Sequence, residues 1–247
     1  MTVRNPKLEG TEIFDCKPQC GPCPLNCNQC FYNRPGAFFV DPNLPHMPTV
    51  EEVGKGLLRI NSGHDSNLER EKVIAATDAF PRRFFNTSIP RLDFPAPVVL
   101  TANPKEEESF FPPPDPVPDC LMFVRLRTSS TNLWLIKQAV DAWTDVGVHV
   151  VLTFMAYYDH RPGEELPGLH HNFQIYEWKV RHTNPYWCAT EPFIRHVLKA
   201  MRSRSPLARR LVTMCGTPTS RWCRDCGNCI GHWYLANQRM RLPKEAT

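Results

Sequence analysis

Six short apolar runs with intervening connections and one strand–helix–strand unit predict an α/β fold, and two cysteine clumps mark it. The expected form is an open partial (β/α)6 barrel of parallel strands with a small C-terminal cysteine-rich extension. The strand–helix–strand unit is the firmest signal. Residues 120–127 read Cys-Leu-Met-Phe-Val-Arg-Leu-Arg, 132–146 place Leu133, Ile136, Val140 and Trp143 on one helix face, and 148–155 are again apolar. Such a unit demands a parallel strand pair joined by a right-handed crossover. The links from the third run to the fourth, and from the fourth to the fifth, are too short or too proline-rich for regular helices, so the barrel is expected to be open. A doubly wound sheet is the alternative. Both architectures place chemistry at the carboxyl ends of the strands. The 247 residues, 42% of them hydrophobic, suit one large domain with a sizeable core, or a domain and a small appendage. The expected division is 1–155 for the barrel, 156–205 for an irregular and helical segment completing the core or a lid, and 206–247 for the metal-binding extension.

Taken in order, residues 1–10 are polar and read as an arm, and 11–15 as the first strand. A cysteine loop follows to Cys30. Residues 31–40 add aromatics able to shield a metal site, and 41–54 form a proline-spaced connection. The second strand is 55–60. It runs into the turn Asn61-Ser62-Gly63-His64-Asp65, and a helix is expected over 68–80 with Asn67 as its N-cap. Strands three and four are 83–88 and 97–102. After the fifth and sixth strands, 156–182 hold aromatics and the histidines His160, His170, His171 and His182 without clear period, open between a strand pair and a lid. These histidines read as loop residues, with a substrate-side acid or base as the functional alternative. A helix over 191–203 and a strand over 208–214 precede the tail. Of the isolated cysteines, Cys120 is expected in the core, and Cys188 is open between core and site.

Nine of the eleven cysteines sit in two clumps, at 16–30 and 215–229, and the first segment is rich in residues that make loop rather than core. Clumped thiols at such spacing favour metal in a reducing compartment over disulfides, so the cytoplasm is expected. No apolar run reaches membrane length and no basic-then-apolar leader follows Met1, so a soluble protein is expected. Net charge is mild at +4, with much of the basic excess late, at Arg202, Arg204, Arg209 and Arg210. That reads as a solvated face, with contact to nucleic acid or an acidic partner as the alternative.

Within the first clump, Cys23-x3-Cys27-x2-Cys30 offers three thiolates from one tight loop, which leaves one corner of a four-iron cluster open to an exchangeable ligand. Cys16-x3-Cys20-x2-Cys23 is a second register with the same spacing. A zinc knot using four of the five cysteines is the structural alternative. The segment from Cys23 to Tyr32 resembles the cluster loop of radical S-adenosylmethionine (radical SAM) enzymes, although Gln29 stands where that family usually has an aromatic residue.

The resemblance implies a [4Fe-4S] cluster held by Cys23, Cys27 and Cys30, with S-adenosylmethionine chelating the open iron. An electron from a reductant protein such as flavodoxin or ferredoxin would then break the sulfonium bond and release a 5′-deoxyadenosyl radical. It further implies cofactor contacts from the turn Ser62, Gly63 and Asp65, and from Asn103, Arg125 and Arg127 at the ends of the fourth and fifth strands, an arginine suiting the cofactor carboxylate. For these the bland readings are an ordinary strand-to-helix turn and surface charge. In the tail, Cys223-x2-Cys226-x2-Cys229 with Cys215 upstream offers four thiolates, a closed set for a second [4Fe-4S] cluster or a zinc ion. The substrate is not legible, a peptide or a nucleic acid being the expected classes. The rival functions are a zinc-binding module without catalysis, contacting nucleic acid or protein, and an electron-transfer protein with two closed clusters.

Overall fold

The computed structural model describes residues 5–27, 30, 41, 43–102, 110–157, 175–181, 184–220 and 222–242. Among them ten strands run in chain order: β1 (Ile13–Cys16), β2 (Leu57–Ile60), β3 (Arg83–Thr87), β4 (Val98–Thr101), β5 (Leu121–Thr128), β6 (Val150–Phe154), β7 (Ala156–Tyr157), β8 (Tyr176–Arg181), β9 (Asn184–Ala189) and β10 (Val212–Met214). Seven of them make one sheet in the order β1-β2-β3-β4-β5-β6-β10, and every neighbouring pair is parallel. The spatial order follows the chain order without reversal. β7, β9 and β8 form a separate antiparallel sheet, so the aromatic stretch that follows β6 is built as strands in its described part.

Six helices accompany the described strands: α1 (Val50–Val53), α2 (Arg70–Thr77), α3 (Leu133–Asp145), α4 (Glu191–Arg202), α5 (Pro206–Leu211) and α6 (Asn228–Arg241). α3 forms where its apolar spacing demands it. Ile136, Ala139, Val140 and Trp143 are fully buried, and Gly147 follows at φ +78°, a conformation only glycine adopts at little cost. α3 packs, with α4 and α5, on the sheet face that carries Leu58, Ile60, Phe85, Leu100, Val124, Leu126 and Leu152. The opposite face carries Ile13, Leu57, Phe84, Val99, Phe123 and Val151, and is covered by Leu8 and by Trp233 and Ala236 of α6.

Several expectations are corrected here. Residues 208–214 are not one strand: Ser205 caps α5 by accepting from the Ala208 amide, Pro206 opens the helix, and only Val212–Met214 enter the sheet. Since β10 is the seventh strand of the main sheet and Trp233 of α6 donates to the Arg83 carbonyl at 2.9 Å, the region from 206 is built into the fold and is no appended extension. The expected arm is likewise docked, because Leu8 is fully buried and the Asn5 amide donates to Asp15 at 2.8 Å. The proline-spaced connection contains α1, opened by a capping box between Thr49 and Glu52. Asn67 does not cap α2. Its amide nitrogen donates instead to Thr87 Oγ1 at 2.8 Å and to the carbonyl of Arg91 at 2.9 Å, and Glu69, at φ 51°, precedes the helix. None of the described helices is long and apolar enough to cross a membrane.

Candidate metal centres

The first cysteine loop leaves the carboxyl end of β1. Cys16 belongs to the strand and not to the loop: it is 3% exposed, faces the helix-covered core, and burial beside Asp15 pushes its thiol well up. A ligand set that begins at Cys16 would start from a sealed thiol. Cys20 is exposed.

Two buried side chains anchor the start of the loop. The Lys17 ammonium donates to the carbonyls of Gln19 at 2.7 Å and Gly21 at 3.3 Å. Gln19, fully buried, donates through Nε2 to the carbonyls of Asp65 and Leu68, both at 2.9 Å, and so ties the loop to the turn after β2. Short turns follow, with the Asn26 amide on the Cys23 carbonyl at 3.4 Å and the Cys30 amide on the Cys27 carbonyl at 3.1 Å. They leave Cys23, Cys27 and Cys30 half-buried. Burial pushes the Cys23 thiol up to about 11, and the charges of Asp65, Cys27 and Cys30 act in the same direction. The three thiols lie on one short loop that Gln19 ties to the Asp65 turn.

That turn holds the half-buried Ser62 and Gly63 beside the buried Asp65. Asp65 Oδ1 accepts from the Asn67 amide at 2.9 Å and Thr87 Oγ1 at 2.8 Å. Its Oδ2 accepts from the Ser88 amide at 2.6 Å and Ser88 Oγ at 2.9 Å. A carboxylate has about four acceptor sites, and here the chain fills them. The expected contact of Asp65 with a cofactor amino group is corrected accordingly: Asp65 fastens the turn after β2 to the end of β3. Asn103 and the aromatics of 31–40 lie outside the described residues, as do His160, His170, His171 and His182.

The tail forms the second neighbourhood. Cys215 follows β10, its amide on the Leu152 carbonyl at 2.9 Å. Cys223 and Cys229 pack, with Ile230, against the sheet face of Ile13, Leu57, Phe84, Val99, Phe123 and Val151. Burial raises both thiols, Cys229 to about 12, against the pull of nearby guanidiniums: Arg59 on Cys223, and Arg59 and Arg125 on Cys229. Cys215 and Cys226 add negative charge at Cys223, and Cys215 and Cys223 add it at Cys229, so the four thiols are electrostatic neighbours. The charge of Arg125, which the sequence reading put at a cofactor carboxylate, is thus felt at Cys229 of the tail. Arg127 lies two residues on, on the same strand face, in register with Thr153.

Arg59 was missed by sequence reasoning, which took 55–60 as a plain buried strand. In register with Asp15, it donates to that carboxylate from Nε at 2.5 Å and from Nη2 at 3.0 Å. The signal was a lone arginine inside an apolar run, and its partner is 44 residues away. Of the isolated cysteines, Cys120 is buried and donates to the Leu92 carbonyl, and Cys188 is buried in β9 with Glu177 Oε1 at 3.8 Å.

All eleven cysteines are among the described residues and form no disulfide. Among the described residues no three His, Cys, Asp or Glu side chains stand gathered around a single ion-sized point. The donor chemistry nonetheless fits: three thiols on one loop and four in the tail are soft sets suited to iron–sulfur clusters or zinc. The chain matches no protein-family model, no curated protein and no solved structure in comparisons with each.

Proposed function

We propose that the chain is a radical SAM enzyme whose sheet is an open partial barrel. Cys23, Cys27 and Cys30 would hold a [4Fe-4S] cluster with one open iron for S-adenosylmethionine. The observation that carries the reading is the position of the three-thiol loop. It leaves the carboxyl end of the first strand of a parallel sheet whose spatial order follows the chain, and the competing Cys16 register begins in the core. A doubly wound sheet reverses its strand order at a switch point, whereas a barrel does not.

When bound, the cluster and its cofactor supply reductive cleavage of a sulfonium carbon–sulfur bond. The chain's own contribution is positional. Lys17 and Gln19 fix the root of the thiol loop, and the Asp65 network holds the adjoining turn with Ser62 and Gly63 against it. The half-buried Arg127 on β5 would receive a carboxylate of cofactor or substrate, in two-pronged geometry. Cys215, Cys223, Cys226 and Cys229 would close a second centre, iron–sulfur or zinc, and four thiolates leave it no vacant position. The working partners in this reading are a flavodoxin- or ferredoxin-like reductant and a peptide or nucleic acid substrate, in the cytoplasm.

The test is metal content after anaerobic reconstitution. Replacing Cys23, Cys27 and Cys30 together by Ala should remove one cluster's iron and sulfide, while Cys16→Ala with Cys20→Ala keeps it. Loss confined to the second variant would overturn the register. A colourless protein with stoichiometric zinc and no iron would favour the zinc module.

A further inference from the structure

The sheet face under the tail divides into two zones. On β1 to β6 the amino-side residues Ile13, Leu57, Phe84, Val99, Phe123 and Val151 are apolar and packed together. The next residues on that face, two positions along each strand, are Asp15, Arg59, Asn86, Thr101, Arg125 and Thr153. Strand register sets Thr101, Arg125, Val151 and Thr213 side by side. Thr153 and Thr213 have buried hydroxyl oxygens with no hydrogen-bond partner among the described residues. Cys223 and Cys229 come down onto the apolar zone of this face, which Phe123 shares two positions before Arg125; the charge of Arg59 is felt at both thiols and that of Arg125 at Cys229.

The two guanidiniums are not equivalent. Arg59 is neutralised by Asp15, which grips it from two nitrogens and also takes a hydrogen bond from Asn5. Arg125 meets no carboxylate among the described residues. It reaches Asn86 Oδ1 at a long 3.4 Å, and its carbon lies 6.0 Å from the centre of the Phe123 ring. A partly buried cation without a counter-charge is costly, and so is a buried set of thiolates, whose net charge stays negative around a dication or an oxidised cubane. Each removes the other's cost.

We propose that Arg125 is a positioning residue of the tail centre, its guanidinium balancing the negative charge that Cys215, Cys223, Cys226 and Cys229 carry when they hold a metal. The inference rests on the reading of those four cysteines as ligands. It assigns the arginine to the closed centre, and so frees it from any contact with the adenosyl cofactor. The tail centre then sits on the floor of the fold, where its charge is felt by the core strands.

The test uses the full chain with Cys23, Cys27 and Cys30 changed to Ala, so that cobalt(II), a coloured substitute for zinc, reports the tail site alone. Affinity is read from thiolate-to-cobalt absorption in competition with a chelator. Arg125→Met should weaken binding about 10–100-fold, the range typical of groups that support metal ligands from behind. Arg125→Lys should recover most of the loss, since it restores the charge. Arg204→Met, which removes the same charge from an exposed pair with Asp141, should bind like the parent. If Arg125→Met loses its native near-ultraviolet dichroism, Arg125→Gln takes its place with the same expectation. Parent-like affinity in the Arg125 variant that folds overturns the inference while leaving the four-thiol centre standing. A parent that binds no cobalt overturns the reading beneath it.

Discussion

Replacing Asp15 with Asn should destabilise the chain by about 3–5 kcal/mol, the cost of leaving one member of a buried ion pair without its partner. The magnitude follows from the burial of both groups: Asp15 is 7% and Arg59 9% exposed, so bulk water compensates little. Asn keeps the shape and the hydrogen bond from Asn5 in part, yet cannot supply the charge that holds Arg59 from Nε and Nη2. For a chain of this size, about 2–4 °C of melting temperature accompanies each kcal/mol, so the transition should fall by roughly 6–20 °C. The assay is urea and thermal unfolding of the metal-free chain, followed by far-ultraviolet dichroism. The double variant Asp15→Leu with Arg59→Met should regain most of the loss, because replacing both charges by apolar groups removes the unpaired cation. A cost below about 1 kcal/mol for Asp15→Asn would refute the reasoning, since it would mean that Arg59 finds solvent or another anion without rearrangement.

Changing Cys215, Cys223, Cys226 and Cys229 together to Ala should remove one metal centre while cofactor cleavage at the first is retained. It should also loosen α6, read as a red shift of Trp233 emission, because binding energy at such a site is also folding energy; unchanged metal content would contradict this. His232 is held down to about 4, by burial first and then by the facing His149 and Arg239, against about 6.5 unfolded. The neutral ring's contribution is therefore complete above pH ~6.5 and lost as pH falls toward ~4, about 1–3 kcal/mol in all, and His232→Phe should flatten that part of the stability–pH curve. Trp233→Phe deletes the donor to the buried Arg83 carbonyl and should cost about 1–3 kcal/mol, with an unshifted urea midpoint as the contrary result.

The first six strands were legible because continuous apolar runs of four to eight residues, bounded by turns, have few other uses, whereas β7, β8 and β9 sit in an aromatic stretch without clear period. α3 and α4 were legible because their apolar spacing is helical and their ends are marked, at Gly147 and at Pro192. α6 was hidden in a tail whose cysteines dominate the eye, although Trp233, Ala236 and Met240 carry helical spacing behind Gly227. α5 was taken for strand because Leu211, Val212 and Met214 run on from it, and the Ser205-Pro206 start outweighs that run. The two cysteine clumps were legible from spacing alone. Their surroundings were not, because they depend on the fold: Cys16 turns into the core through strand alternation, and Cys229 comes near the charges of Arg59 and Arg125 only after α6 folds back on the sheet. Asp65 looked available in the sequence because its four partners, at Asn67, Thr87 and Ser88, converge only when β3 lies beside β2.

The most direct measurement is the yield of 5′-deoxyadenosine when the anaerobically reconstituted chain is reduced with dithionite in the presence of S-adenosylmethionine. The account predicts slow formation without added substrate, abolished when Cys23, Cys27 and Cys30 are changed to Ala and retained when Cys16 and Cys20 are. An iron-loaded chain that forms no 5′-deoxyadenosine, or one that forms it equally well without those three thiols, would contradict the claim that this loop holds the open iron.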